Sequence, residues 1–114
     1  MSDSSPLAKK VCVPCRGGVP PLPAEQAQGL LAQLADGWRL VDGHHVERTF
    51  AFSNFVKALD FTNRVGALAE ENDHHPDIHL SWGKVRVEIW THKIDGLTES
   101  DFVLAAKIDQ LCSS

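Results

Sequence analysis

The chain has 114 residues, of which 43% are hydrophobic, so it is long enough for one folded domain and too short for two. Its 15 acidic residues outnumber 11 lysines and arginines, giving a net charge of −4 without a basic cluster that would attract nucleic acid. No apolar run approaches the ~20 residues of a membrane span, and no signal-peptide core follows the first methionine. We therefore expect a cytoplasmic protein that contacts neither a membrane nor, directly, nucleic acid.

The N-terminal segment 1–23 contains every proline except Pro76, together with a pair of glycines. This composition predicts a flexible leader whose removal should leave catalysis intact. Within it, Cys12 and Cys15 have the Cys-x-x-Cys spacing of a redox or zinc site. Structural zinc usually needs four protein ligands, and a redox pair usually begins a helix, so we interpret both cysteines as reduced thiols.

The folded domain is predicted to occupy residues 24–114, beginning with a helix. Pro23 suits the position before a first helical turn, and Asp36-Gly37 is a signal for its end. Two antiparallel strands are expected next, at 38–41 and 46–52, joined by the turn signal Asp42-Gly43.

The second half of the domain begins with a long helix, capped by Ser53 and continuing to about Glu71. This helix is apolar over so wide an arc that one sheet cannot cover it, which predicts a homo-oligomer, either a dimer or a tetramer. The remaining elements are a strand at 77–81, a tight turn at 82–84, a strand at 85–90 and a helix introduced by the capping sequence at 98–101. The pattern indicates an α+β fold of order α-β-β-α-β-β-α, with a four-stranded antiparallel sheet and three helices on one face.

Three histidines lie at the ends of predicted elements, where functional residues are common. His74 and His75 are adjacent, and Pro76 biases the chain there towards an extended conformation between a helix and a strand. His92 is expected to end the fourth strand, which a hairpin would bring beside Pro76. The hairpin alone therefore predicts that three imidazoles, which titrate near neutral pH, converge on one rim of the sheet. The alternative for His74 and His75 is a pair that only stabilises the helix end through its dipole.

This histidine pattern resembles the pterin-4a-carbinolamine dehydratase family. The similar residues are Asn-Asp-His-His-Pro-Asp at 72–77, Trp82, Thr91-His92, Gly96-Leu97-Thr98 and Asp101, with further likeness at Gly37-Trp38, 50–52, Phe55 and 61–65. The resemblance covers residues 24–111. It implies a tetramer of two dimers and a lyase that dehydrates 4a-hydroxytetrahydrobiopterin to quinonoid dihydropterin, thereby recycling the cofactor of aromatic amino acid hydroxylases.

The reaction implied by this resemblance needs one acid for the leaving hydroxyl and one base for the N5 proton. Imidazoles can do both, each typically contributing about 10²- to 10⁴-fold, so we expect His74, His75 and His92 to be catalytic, with no metal and no cofactor. Asp101 is predicted to orient His92, or else only to cap the last helix.

Three further residues are candidates for binding or orienting the pterin substrate. Trp82 could form an aromatic wall, as could Trp90, although either could instead serve packing. Pro76 would shape the corner beside the histidine pair, and Glu70 would supply an acid one helical turn before it. His79 raises the alternative of a mononuclear metal site, while His44 and His45 in the first hairpin are expected to be exposed to solvent.

Two other functions remain open. One is a protein-binding role, as a dimerisation cofactor or transcriptional coactivator, which one member of the family is known to have. The other is a pterin-linked role in molybdopterin enzyme systems.

Overall fold

The computed structural model describes Leu7 and residues 20–112, and within them the predicted order of elements is confirmed. The fold is α+β, with three helices on one face of a four-stranded antiparallel sheet. The helices are α1 (Ala24–Leu31), α2 (Phe55–Asn72) and α3 (Glu99–Cys112), and the strands are β1 (Arg39–Val41), β2 (His45–Ala51), β3 (Asp77–Ser81) and β4 (Lys84–Ile89).

The sheet has the strand order β1-β2-β4-β3, so β4 is central and pairs with both β2 and β3. Alternate residues of β4 (Val85, Val87 and Ile89) are completely buried and face the helices, which follows from the two-residue period of a strand. The residues between them face away from the helices, on what we call the outer face of the sheet. Asp42 and Gly43 both have positive φ angles in the β1–β2 turn, as the sequence predicts.

Helix α2 begins one residue later than expected, because Asn54, not Ser53, is its cap. The Asn54 side chain accepts a hydrogen bond from the Lys57 amide at 2.9 Å. The helix leaves three apolar side chains substantially exposed, with Val56 at 73%. The other two are Phe55 and Leu59. The wide apolar arc predicted from the sequence is therefore present and only partly covered within one chain.

Two leucines on the N-terminal side of the boundary predicted at Pro23 contact the folded domain. Leu22 donates a backbone hydrogen bond to the Leu97 carbonyl and packs against the core, and Leu7 is only 1% exposed within that core. Proline content could not show that Leu7, within this segment, is buried in the core. Residues 1–6 and 8–19, which include Cys12 and Cys15, lie outside the described residues.

Replacing Leu7 with alanine is expected to lower the free energy of unfolding by about 2–3 kcal/mol, because a buried leucine loses both transfer energy and packing. Urea unfolding followed by circular dichroism measures this change. The value of kcat should stay within a few-fold of the original. An unchanged unfolding midpoint would show that Leu7 does not stabilise the fold.

Helix α3 is tied to the sheet by Asp109 on the side away from the histidine motif. Its carboxylate accepts hydrogen bonds from Trp38 Nε1 at 2.8 Å, Arg48 at 2.7 Å and the Ala35 amide at 3.3 Å. Burial raises the pKa of Asp109 above its ordinary value even though these donors act to lower it. Asp109 thus fastens α3 without taking part in the candidate site described next.

Candidate active site

A small cavity of about 140 Å³ lies between the end of α2 and the segment that follows β4. All three histidines predicted to be catalytic line it, which confirms that they meet at one rim of the sheet. Its lining residues are Asp73, His74, His75, Trp90, Thr91, His92 and Lys93. A larger cleft of about 690 Å³ lies between β2 and α2, but among the described residues its lining includes no histidine. The smaller cavity is therefore where acid–base groups converge.

The turn that places the histidine pair depends on Asp73. This residue ends α2 in the left-handed conformation, with φ 51°, and the His74 amide bonds back to the Ala69 carbonyl. Aspartate adopts this conformation more readily than most residues other than glycine. The chain consequently leaves the helix abruptly and presents His74 and His75 to the cavity before β3 begins.

His74 is held by the buried carboxylate of Asp101. The His74 Nε2 atom lies 2.5 Å from Asp101 Oδ1, and the Asp101 side chain has no exposed surface. The other carboxylate oxygen, Oδ2, accepts hydrogen bonds from Thr91 Oγ1 and from the Thr98 amide, both at 2.8 Å. Asp101 therefore fixes the orientation of His74, and Nδ1 is the ring nitrogen of His74 that remains for other contacts.

The prediction that Asp101 orients His92 is wrong, whereas its role as a cap is confirmed. Asp101 bonds to the amide of Thr98, the residue immediately before α3, as a capping box requires. Sequence spacing alone could not show which histidine the same carboxylate reaches. His92 is away from Asp101 because β4 ends at Ile89, before the predicted strand end. His92 consequently lies in a short 3-10 helix, His92–Ile94.

His75 and His92 are each about half exposed, unlike His74. His75 Nε2 contacts Glu70 Oε2 at 2.5 Å, so Glu70 touches a histidine of the cavity and is not among the residues that line it. His92 Nε2 lies 3.8 Å from Asp77 Oδ1, and its ring packs edge-on against Trp90 with centroids 4.4 Å apart. Both imidazoles are thus open to solvent and to a substrate.

The aromatic side chain at the cavity is Trp90, not Trp82. Trp82 is 67% exposed in the β3–β4 turn and is not among the lining residues. Pro76 is half-buried and shapes the corner without lining the cavity. The sequence signal that could have favoured Trp90 is its position two residues before His92.

The expectation that His44 and His45 are solvent-exposed is also wrong, because both are half-buried. Their rings pack against Trp90 with centroid distances of 5.2 and 5.7 Å. The β1–β2 hairpin therefore lies against the outer side of the aromatic residue that borders the cavity. Sequence alternation could not show the contact of these histidines with Trp90, since that contact depends on the pairing register of β2 and β4.

Comparison with known proteins gives the family. The model of the pterin 4 alpha carbinolamine dehydratase family matches residues 20–111. The chain belongs to this family. A Rubrobacter xylanophilus protein provisionally named as a pterin-4-alpha-carbinolamine dehydratase is 62% identical over 107 residues, covering 94% of this chain and 99% of that protein. A protein of Alkaliphilus metalliredigens with the same provisional name is 53% identical, covering 91% and 94%.

Two solved structures related to the carbinolamine dehydratase family have similar folds. A Brucella melitensis protein titled transcriptional coactivator/pterin dehydratase superposes with a TM-score of 0.74 at 34% identity, covering 80% of this chain and 97% of that one. A pterin dehydratase-like protein identified as a RuBisCO assembly factor in the alpha-carboxysome superposes with a TM-score of 0.59 at 26% identity, covering 68% of this chain and 92% of that one.

Among the described residues of this chain, no helix has the length and apolar character needed to cross a membrane.

Proposed function

We propose that this protein is a hydro-lyase that dehydrates 4a-hydroxytetrahydrobiopterin to quinonoid dihydropterin, recycling the cofactor of aromatic amino acid hydroxylases in the cytoplasm. The observation that carries the proposal is the cavity bordered by His74, His75 and His92, with the buried carboxylate of Asp101 behind it. Family membership supplies the substrate class, a reduced pterin. Trp90 would provide a face against which the flat ring could stack.

The reaction requires two proton transfers and no other chemistry. The bond between C4a and its hydroxyl oxygen breaks as an imidazolium donates a proton, and water leaves. The N5–H proton passes to a neutral imidazole, so the electron pair of that bond forms the new C4a=N5 double bond. Imidazoles suit both steps because their pKa lies near the working pH.

We assign these transfers to His74 and His92, and substrate positioning to His75. The contact between His74 Nε2 and Asp101 resembles the histidine–aspartate pairs in which a buried carboxylate fixes the tautomer and stabilises the imidazolium. His75 has only an exposed partner, Glu70, and such a pair has little orienting energy. His92 lines the cavity and is about half exposed, so its ring is accessible to a substrate.

The direct experiment is a dehydration assay with synthetic 4a-hydroxytetrahydropterin, following the disappearance of the substrate by its ultraviolet absorbance. Rapid turnover that depends on enzyme concentration is expected. Because the substrate also dehydrates without enzyme, the control is the His74→Ala/His92→Ala double variant at equal concentration. A rate no higher than that of the double variant would refute the proposed activity.

The protein is proposed to be a homotetramer, because Phe55, Val56 and Leu59 form an exposed apolar patch on α2. Light scattering at micromolar concentration should give about four times the chain mass. Replacing Val56, the most exposed of the three, with glutamate should lower that mass, while Lys57→Glu serves as a matched control on the neighbouring position. A monomer mass for the original chain would contradict the assignment.

The catalytic cavity is expected to work without a metal ion, because acid and base groups suffice for the reaction. Treatment with a strong chelator followed by dialysis should therefore leave kcat/KM unchanged. Elemental analysis before and after treatment shows whether any zinc or iron was removed. Loss of activity that returns on adding zinc or iron would show that the histidines bind a catalytic metal.

A protein-binding role is the second candidate, supported by the similarity to a protein described as a transcriptional coactivator and to a RuBisCO assembly factor. The exposed α2 patch gives such a role a surface. A chain that is monomeric and inactive towards the carbinolamine would favour this alternative over the enzyme.

A further inference from the structure

Three metal-binding side chains meet on the outer face of the sheet, outside the catalytic cavity. One ligand atom from each of His45, Glu47 and Glu88 lies within 4.8 Å of the other two, and all three side chains are half-buried. Glu47 and Glu88 are directly opposite each other on β2 and β4. Like charges in such a cross-strand pair destabilise a sheet unless something compensates them.

A chain of hydrogen bonds fixes the tautomer of His45. Asp95 Oδ1 lies 2.7 Å from His44 Nε2, and His44 Nδ1 lies 3.0 Å from His45 Nδ1. A carboxylate only accepts, so the proton of neutral His44 is on Nε2, and its Nδ1 must accept from His45 Nδ1. The lone pair of neutral His45 is consequently on Nε2.

This lone pair faces a carboxylate. His45 Nε2 lies 3.5 Å from Glu47 Oε1, at the outer limit of a hydrogen bond. A lone pair and a negative oxygen repel each other unless a proton or a metal cation lies between them. In a tetrahedral zinc shell with bonds of about 2.0–2.2 Å, neighbouring ligand atoms are about 3.3 Å apart. His45 Nε2 and Glu47 Oε1 already have nearly this spacing, whereas the three ligand atoms together are spread over up to 4.8 Å and must draw closer around an ion.

Two arginines hold the glutamates in position for such an ion. Arg39 binds Glu47 Oε2 through Nε and Nη2, and Arg86 Nε lies 3.0 Å from Glu88 Oε2. Glu47 therefore keeps Oε1 for another partner. Glu88 Oε1 lies 3.4 Å from Nε2 of the half-exposed His79, so a bound ion would displace this imidazole or take it as a further ligand. Both arginines are well exposed, so water screens their repulsion of a cation.

We propose that His45, Glu47 and Glu88 bind a divalent first-row transition metal such as zinc, with water completing the coordination. One imidazole and two carboxylates are ligands that zinc accepts. The Asp95–His44 pair supports the ligating histidine from behind, as outer partners of metal-bound histidines commonly do. Because His44 and His45 both pack against Trp90, a bound ion would also fix the outer wall of the catalytic cavity.

The test measures zinc binding by isothermal titration calorimetry on chelator-treated full-length protein with Cys12→Ser and Cys15→Ser, which removes the competing thiols. We expect one zinc ion per chain. In the same background, His45→Gln and Glu88→Gln should each weaken binding at least tenfold. His44→Ala leaves every ligand in place but removes the hydrogen-bond partner of His45, so it should weaken binding by about 10- to 100-fold. His92→Ala, which alters the cavity, should bind zinc as tightly as the background protein.

Circular dichroism of each metal-free variant checks that it is folded, and the two ligand variants are independent, so one misfolded variant leaves the test intact. No zinc binding at tenfold molar excess would overturn the proposal. So would unchanged affinity in both ligand variants, or affinity lost only in His92→Ala, which would place the ion in the cavity.

Discussion

Replacing Asp101 with asparagine is expected to lower kcat by about 10²-fold or more, with a smaller change in KM. The Thr98 amide and the Thr91 hydroxyl both donate to Asp101 Oδ2, so the asparagine oxygen must stay there and its NH₂ group must face His74. An NH₂ group can only donate, which forces His74 Nε2 to accept and moves the ring proton to Nδ1. The tautomer is thereby inverted and the imidazolium loses its counter-charge.

The matched control for this variant is Asp109→Asn. Asp109 is on the same helix and also accepts several hydrogen bonds, but its partners Trp38 and Arg48 are away from the cavity. Both variants should be less stable, whereas only Asp101→Asn should lose turnover. Steady-state kinetics below each variant's unfolding temperature separate the two effects. Equal kcat values for the two variants would show that Asp101 acts only as a helix cap.

Replacing His92 with alanine should also lower kcat by about 10² or more with a smaller effect on KM, because the group acts mainly in the transition state. His74→Ala should behave alike, since we assign the second proton transfer to His74. His75→Ala should chiefly raise KM, because it positions the substrate.

These kinetics must be measured for each C4a epimer separately. The leaving hydroxyl lies on opposite faces of the ring in the two epimers, so His74 and His92 could exchange the role of acid. If all three alanine variants retain kcat within about three-fold for both epimers, the chemistry does not belong to these histidines.

The convergence of the histidines could be predicted from the sequence because it depends on local signals. The β3 bounds at 77–81 and the turn at Trp82-Gly83 followed from alternation and turn chemistry, and they bring the end of β4 beside the histidine pair. Asp101 was found through its spacing in the capping sequence, which is also local.

The contacts that the sequence did not reveal are between distant parts of the chain. The bond from Asp101 to His74 joins residues 27 positions apart, and the packing of His44 on Trp90 joins different hairpins. Both depend on side-chain direction at irregular positions, where neither strand nor helix period applies. The burial of Leu7 is of the same kind, because no periodic pattern surrounds it.

The hydrogen bonds at the start of α3 have a consequence for the local opening of the protein in solution. The link from α3 to the cavity includes the Asp101 carboxylate with its bonds to His74, Thr91 and Thr98. The Asp109 contacts hold the same helix to the sheet at its other end. Because Ser100, Asp101 and Phe102 are buried, release of the Asp101 carboxylate requires the first turn of α3 to leave the core in a local unfolding event. Hydrogen exchange at the Thr98 amide would then count how often Asp101 releases His74, and a bound pterin should slow that exchange.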